Sequence, residues 1–151
     1  VKSSAIRHKA PPEPAEPYRL EEQVGYILRQ VSQRHAAIFG ERMADGLTAT
    51  QFAALAKLWE IGPCSQNRLG RMTSMDAATI KGVTDRLIQR GLVEARIDPE
   101  DSRRRVLAPT PEGLACIRAA IPAAFAITEE TLMPLTPGEQ AQFLDLLKKL
   151  R

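Results

Sequence analysis

Residues Ile97–Gly113, IDPEDSRRRVLAPTPEG, constrain this chain more than any other stretch. Asp98-Pro99-Glu100-Asp101 is a turn cluster, because Asp side chains bond their own backbone and Pro fixes φ. Short strand patterns flank it, Leu92–Arg96 before and Arg105–Ala108 after, so the segment reads as a β-hairpin. Arg103, Arg104 and Arg105 put three guanidinium groups on one side of the turn. Thr110-Pro111 then opens a helix, with Pro at the first helical position, where its missing N–H costs nothing. The segment is therefore a hairpin with a basic tip that runs straight into a capped helix.

Just upstream lie two helical patterns joined by a brief turn, Ser65–Thr73 and Asp76–Arg90. Ser65 and Asp76 are their N-caps, and Gly91 supplies a left-handed stop to the second. Ile80, Val83 and Leu87 form one apolar stripe. Thr48-Ala49-Thr50-Gln51 is a capping box, and the helix it opens ends at Ile61-Gly62-Pro63. Helix, turn, helix, basic hairpin is the layout of a winged helix-turn-helix, which makes duplex DNA the leading partner.

Helical spacing also predicts one long first helix from Leu20 to Met43, with Val24, Leu28, Val31, His35, Ile38 and Arg42 recurring. The helix after Thr110 carries Leu114, Ile117, Ile121, Phe125 and Leu132, with Pro122 expected to kink it. A second capping box, Thr136-Pro137-Gly138-Glu139, starts a last helix with Phe143, Leu147 and Leu150. These ends hold more apolar surface than a monomer can cover. A symmetric homodimer is the economical solution. The expected fold is mainly α with a small β-hairpin wing. A winged helix-turn-helix over 46–110 is flanked by dimerisation helices over 20–45 and 111–151. A flexible, Pro-rich arm occupies 1–19, where Lys2, Arg7 and Lys9 offer charges to DNA phosphates.

Composition narrows the function classes. The net charge is +3 and the pI about 9.1, which permits nucleic-acid binding without demanding it. Between Ser65 and Arg105 nine basic residues face six acidic ones, and the excess sits at the hairpin tip. Cys64 and Cys116 are too few for a disulfide framework. No apolar run approaches the ~20 residues of a membrane span, and the start lacks the apolar segment of a signal peptide. A cytoplasmic location and no membrane partner are expected. With only His8 and His35, and no carboxylate pair, phosphate loop or metal-ligand spacing, no enzyme, cofactor or metal is expected.

The major groove admits one α-helix, whose N-terminal half usually meets the base edges. With Ile80, Val83 and Leu87 inward, the opposite surface of Asp76–Arg90 shows Ala77, Thr79, Lys81, Gly82 and Arg86. Small Ala77 and Gly82 let the backbone approach DNA. Thr79 and Lys81 can reach bases, and Arg86 a phosphate. Ser65, Gln66 and Asn67 suit a phosphate at the start of the preceding helix. Arg103, Arg104 and Arg105 are placed to reach the neighbouring minor groove.

The stretch Thr48–Gly113 resembles the MarR family of bacterial winged-helix regulators. The resemblance is carried by Asp85-Arg86-Leu87, Arg90-Gly91-Leu92-Val93, Asp101-x-Arg103 and Thr110-x-x-Gly113, and it extends over nearly all of residues 20–150. It implies a homodimer on a pseudo-palindromic operator, most often a repressor. It also implies release of DNA when a small molecule, often an aromatic carboxylate or a phenolic compound, binds between the dimer helices and the winged domain. One departure is Pro109, where the family usually has Leu. Pro cannot donate a ladder bond, so the second wing strand is expected to end early.

Two places invite a signal. Arg34, His35 and Phe39, with Trp59, would suit an anionic aromatic effector, a ring for stacking and a cation for its carboxylate. Alternatively, His35 packs at the dimer interface and Trp59 in the core. Cys64, beside a helix N-terminus, is open to a lowered thiol pKa and hence to a redox switch on the same fold, or it is an incidental buried thiol. The redox-sensing branch of the family carries its reactive Cys in the first helix, and this chain has none there.

Overall fold

A computed structural model describes residues 17–43 and 46–151. The arm expected over 1–19, with Lys2, Arg7 and Lys9, lies outside the described residues apart from Pro17, Tyr18 and Arg19. The chain falls into two units divided after Ser32.

The first unit holds a 3-10 turn, Leu20–Glu22, and the first half of α1, Val24–Arg42. The single long helix expected from Leu20 is thus corrected. Gln23 sits between the two pieces with extended backbone (φ −85°, ψ 132°), and its side-chain amide donates to Arg19 O at 2.9 Å. A side chain that bonds the backbone locally competes with the helical ladder. Val24, Ile27, Leu28 and Val31 are all exposed.

The second unit contains the rest of α1, then α2 (Ala49–Ile61), α3 (Gln66–Met72), α4 (Ala77–Gln89), β1 (Val93–Asp98), β2 (Asp101–Pro109), α5 (Pro111–Leu132) and α6 (Pro137–Lys149). The expected caps are present. Thr48, Ser65, Asp76, Thr110 and Thr136 each accept a hydrogen bond from the N–H three residues on, and Thr48 and Thr136 form full capping boxes. Gly62 and Gly91 end their helices at φ 77° and 70°, a region an L side chain rarely enters. α5 runs unbroken through Pro122.

The core is built where these elements cross. Leu55 and Leu58 from α2, Leu69 from α3, Ile80 and Leu87 from α4, Val93 from β1 and Ile117 from α5 are fully buried. Each such side chain stabilises the fold by about 1.5–3 kcal/mol. Gly113 shows how closely α5 meets the end of the winged segment, because a Cβ there would lie 1.9 Å from Leu92 O. Nearby, Thr110 Oγ1 donates to Gly91 O at 2.7 Å and accepts from Gly113 N–H. The Thr-x-x-Gly spacing is therefore one joint, cap and clearance together. α6 buries none of its residues, and Leu144, Leu146 and Leu150 are exposed.

The hairpin is longer than expected, with antiparallel register Val93↔Pro109 to Ile97↔Arg105 and an irregularity before Asp98↔Asp101. Pro109 does not shorten β2 but closes it. Thr110 N–H donates to Leu92 O, so the neighbouring Val93↔Pro109 pair is one in which β2 offers β1 no N–H. The missing donor costs the β1 ladder nothing. On the other side of β2, Leu107 exchanges two backbone bonds with Cys64, at 2.8 and 3.1 Å. The wing root is thereby fastened to the residue before the α3 cap.

Candidate nucleic-acid interface

α3 and α4 cross closely at Gly70, where an added Cβ would lie 3.1 Å from Met75 O and 3.2 Å from Ile80 Cγ2. The turn between them holds Ser74 at φ 55°. Asp76 Oδ1 then accepts from Thr79 N–H at 2.7 Å. That bond holds the Asp76 carboxyl below its ordinary value, as expected of a carboxylate that stabilises orphan amides at a helix start.

The faces of α4 divide as the sequence predicts. Ile80, Val83, Thr84 and Leu87 are buried, while Ala77, Thr79, Lys81 and Arg86 are exposed. Gly82 has nothing within 4 Å of a would-be Cβ. No internal contact therefore requires glycine in this helix interior, where it costs about 1 kcal/mol relative to Ala. Lys81 Nζ is paired with Asp85 Oδ2 at 2.7 Å, so it must exchange that partner to meet DNA.

The α3 residues behave differently from one another. Ser65 Oγ accepts the Arg68 N–H, and Asn67 is exposed. Gln66 Oε1 lies 3.2 Å from the hydroxyl of buried Thr84 and so links α3 to α4, while a phosphate would call on its Nε2 donors and not on that oxygen. In the wing, the three arginines lie within β2 rather than at the turn, and they do not act as one group. Arg103 pairs with Asp101 at 3.4 Å, while Arg104 and Arg105 line a cleft with Ser65 and Arg68. Sequence reasoning missed Arg68, since its neighbours in space lie more than thirty residues on.

The expected effector residues also separate. His35 and Phe39 line an apolar cavity of about 400 Å³ with Met43, Leu47 and Thr48. His35 Nδ1 and Thr131 Oγ1 are hydrogen-bonded at 2.9 Å, and Thr131 Oγ1 also meets Ile127 O at 2.7 Å. Arg34 is held in place by backbone carbonyls. Its guanidinium donates to Thr131 O at 2.7 Å and Glu130 O at 2.9 Å, carbonyls at the end of α5 where positive charge is favoured. Trp59 is neither core nor cavity wall, being 43% exposed on α2. Cys64 is buried, and burial pushes its thiol above the ordinary value against the opposing charge of Arg68. The lowered pKa expected from the helix start is therefore corrected, because desolvation outweighs it.

Among the described residues no helix is long and apolar enough to cross a membrane, and no cluster of His, Cys, Asp and Glu is arranged to hold a metal. The MarR family model matches residues 47–105. The HTH-type transcriptional repressor NicR of Pseudomonas putida is 42% identical over 135 residues, 89% of this chain and 85% of that protein. Two solved structures share the fold closely. A probable transcriptional regulator from Pseudomonas aeruginosa is 49% identical with a TM-score of 0.86, over 88% of this chain and 100% of that one. BpsR of Bordetella bronchiseptica, whose DNA binding is regulated by 6-hydroxynicotinic acid, is 40% identical with a TM-score of 0.85, over 89% and 97%. With its capped helix pair, exposed α4 face and basic hairpin, this chain belongs to the MarR family of DNA-binding transcriptional regulators and is not an enzyme.

Proposed function

We propose that the protein is a cytoplasmic repressor that binds a pseudo-palindromic operator as a homodimer. α4 enters the major groove, with Ala77, Thr79, Lys81 and Gly82 at the bases and Arg86 on phosphate. Ser65 and Asn67 meet the backbone at the start of α3, and the wing arginines lie beside the adjacent groove. The observation that carries this reading is the α4 face, polar, small-residued and exposed along its length while the opposite face is fully packed.

Dimerisation belongs to the segments 20–45 and 111–151. The exposed Val24, Ile27, Leu28 and Val31 in the first unit support this, as do Leu144 and Leu146 in α6 and Leu150 at its C-cap. The cavity beside His35 and Phe39 is the effector site, and a small hydroxylated aromatic acid is its ligand class. An apolar wall for a ring and the His35 imidazole fit such a molecule. The regulation of BpsR by 6-hydroxynicotinic acid supports the same class. A thiol switch at Cys64 is the weaker reading, because the sulfur is buried and its thiolate disfavoured.

The test is selection of bound duplexes from a random-sequence pool. The expected product is an inverted repeat with half-sites about one helical turn apart. A folded, dimeric protein that enriches no sequence refutes the operator reading. Release of the selected duplex by 6-hydroxynicotinic acid or a similar hydroxylated aromatic acid, and loss of that release in His35→Ala, tests the effector site.

A further inference from the structure

We propose that the cleft between the start of α3 and strand β2 seats one phosphodiester group of the DNA backbone, held jointly by Arg68, Arg104 and Arg105. This rests on the DNA-binding reading above and refines it. The wing arginines were expected to act together in the minor groove. The geometry divides them.

The two backbone bonds between Cys64 and Leu107 fix the start of α3 against β2. Arg68 lies four residues after Cys64, and Arg104 and Arg105 lie just before Leu107. All three line one cleft of about 150 Å³, together with Ser65 and Asp98. The backbone bonding at the wing root brings these three positions together.

Charge makes the cleft a site. Three arginines line it, and Asp98 is the one acidic residue among its lining. Asp98 Oδ1 is already accepting the Glu100 N–H at 3.0 Å. Arg104 and Arg105 have no ion pair or side-chain hydrogen bond among the described residues. The field of Arg68 reaches the cleft wall, where it opposes the rise in the Cys64 thiol pKa. Like charges gathered without counter-ions repel one another, and an anion that accepts from several guanidinium forks relieves this. The wall offers little apolar surface for a ring or a lipid chain, with Pro63, Cys64 and Val106 beside the polar groups. A tetrahedral oxyanion fits these conditions, either a DNA phosphodiester or free phosphate. The cleft adjoins the helix pair whose second member bears the DNA-facing surface, which favours the phosphodiester. Arg103, paired with Asp101 and otherwise exposed, is left for the minor groove.

The experiment measures binding to a random-sequence duplex of about 20 bp between about 50 and 200 mM salt, where each neutralised phosphate contributes ~0.9 to the slope of log affinity against log salt. It compares the wild type, Arg68→Gln, Arg104→Gln with Arg105→Gln, and the triple variant. Thermal melting confirms that each is folded. One shared phosphate predicts that the triple variant loses ~0.9 of slope, so that the affinity lost over this salt range shrinks about 3-fold. Arg68→Gln alone weakens binding with little change of slope, because two arginines still neutralise the phosphate. A triple variant that loses ~2.7 of slope overturns the shared seat in favour of three separate contacts. An unchanged slope in the triple variant, with phosphate binding also unchanged, overturns the site altogether. A calorimetric titration with inorganic phosphate separates the sources. If the triple variant loses phosphate binding yet keeps the wild-type DNA slope, the assignment to DNA fails. Should the wild type bind no duplex at low salt, the DNA-binding reading itself fails, a result distinct from all of these.

Discussion

The winged segment from α2 to β2 and the terminal helix α6 carry similar apolar periodicity and opposite burial. In the winged segment the apolar stripes are covered: Leu55, Leu58, Leu69, Ile80 and Leu87 are inaccessible. In α6 no residue is buried: Phe143 and Leu147 are half-covered, Leu144 is 40% and Leu146 50% exposed, and Leu150 at its C-cap is 74% exposed. Periodicity states which face of a helix seeks cover. It does not state whether the same chain or a second copy provides it. The winged segment is covered from within the chain, by α5 among others, whereas α6 leaves its apolar residues uncovered.

The sharpest way to break this comparison is to disturb the joint that closes the winged segment. Gly113→Ala would drive a Cβ into Leu92 O, a backbone atom that cannot move without unpicking the Thr110 N–H bond to the same carbonyl. The expected loss is about 3 kcal/mol or more, seen as a large fall in the denaturant midpoint. A variant as stable as the wild type would mean that the contact between α5 and the wing is not closed in solution.

The complementary change leaves the core alone. Leu146→Lys with Leu150→Lys places charge on a face that is exposed in the single chain. Light scattering should show a monomer, and binding to a two-half-site operator should fall by about 100-fold, since the second half-site is no longer tethered to the first. A dimer that persists with unchanged affinity would place the interface elsewhere.

The two regions were also unequally legible. Caps at Thr48, Ser65, Asp76, Thr110 and Thr136 are readable because each involves one side chain and an amide three residues on. The inward face of α4 is readable for the same local reason. What the sequence hides is convergence. Arg34 looks like a free cation until α5 brings it the carbonyls of Glu130 and Thr131, nearly a hundred residues away. Arg68 looks like an ordinary surface residue until the Cys64–Leu107 bridge brings it to the wing arginines. Trp59 was misjudged because α2 is apolar on more than one face, so its pattern does not say which residue is left outside. Cys64 left two readings open because its position before a helix start was legible, and its burial decides for the incidental buried thiol.

A smaller effect separates stability from binding within α4. Nothing inside the protein requires Gly82 to lack a Cβ. Gly82→Ala should therefore stabilise the fold by about 1 kcal/mol. If the α4 backbone approaches DNA there, the same variant should bind its operator more weakly, so melting temperature rises while affinity falls. A rise in both would remove Gly82 from the interface.

The smallest expected effect probes the helix starts of both regions through pH. Asp76 begins α4 in the winged segment, and Glu139 completes the capping box of α6. Both carboxyls are held below their ordinary values, Asp76 chiefly by the Thr79 amide and Glu139 chiefly by the Thr136 amide. A depressed carboxyl contributes stability that is fully present above its unfolded pKa, about 4 for either residue type, and that is lost as pH falls through the folded value. Asn and Gln can accept the same bonds without titrating. Melting curves from about pH 6 down to about pH 2 should therefore show Asp76→Asn and Glu139→Gln losing stability less steeply in acid than the wild type. Asp76→Asn should flatten the response of the winged core. Glu139→Gln should act on α6, and in the monomeric Leu146→Lys, Leu150→Lys background its effect on the core transition should vanish, because that helix no longer joins two chains. Parallel pH curves for wild type and Asp76→Asn would show that the cap carboxylate does not hold α4. An undiminished Glu139 effect in the monomer would show that α6 is part of the same cooperative unit as the wing, and the contrast between covered and uncovered helices would lose its energetic content.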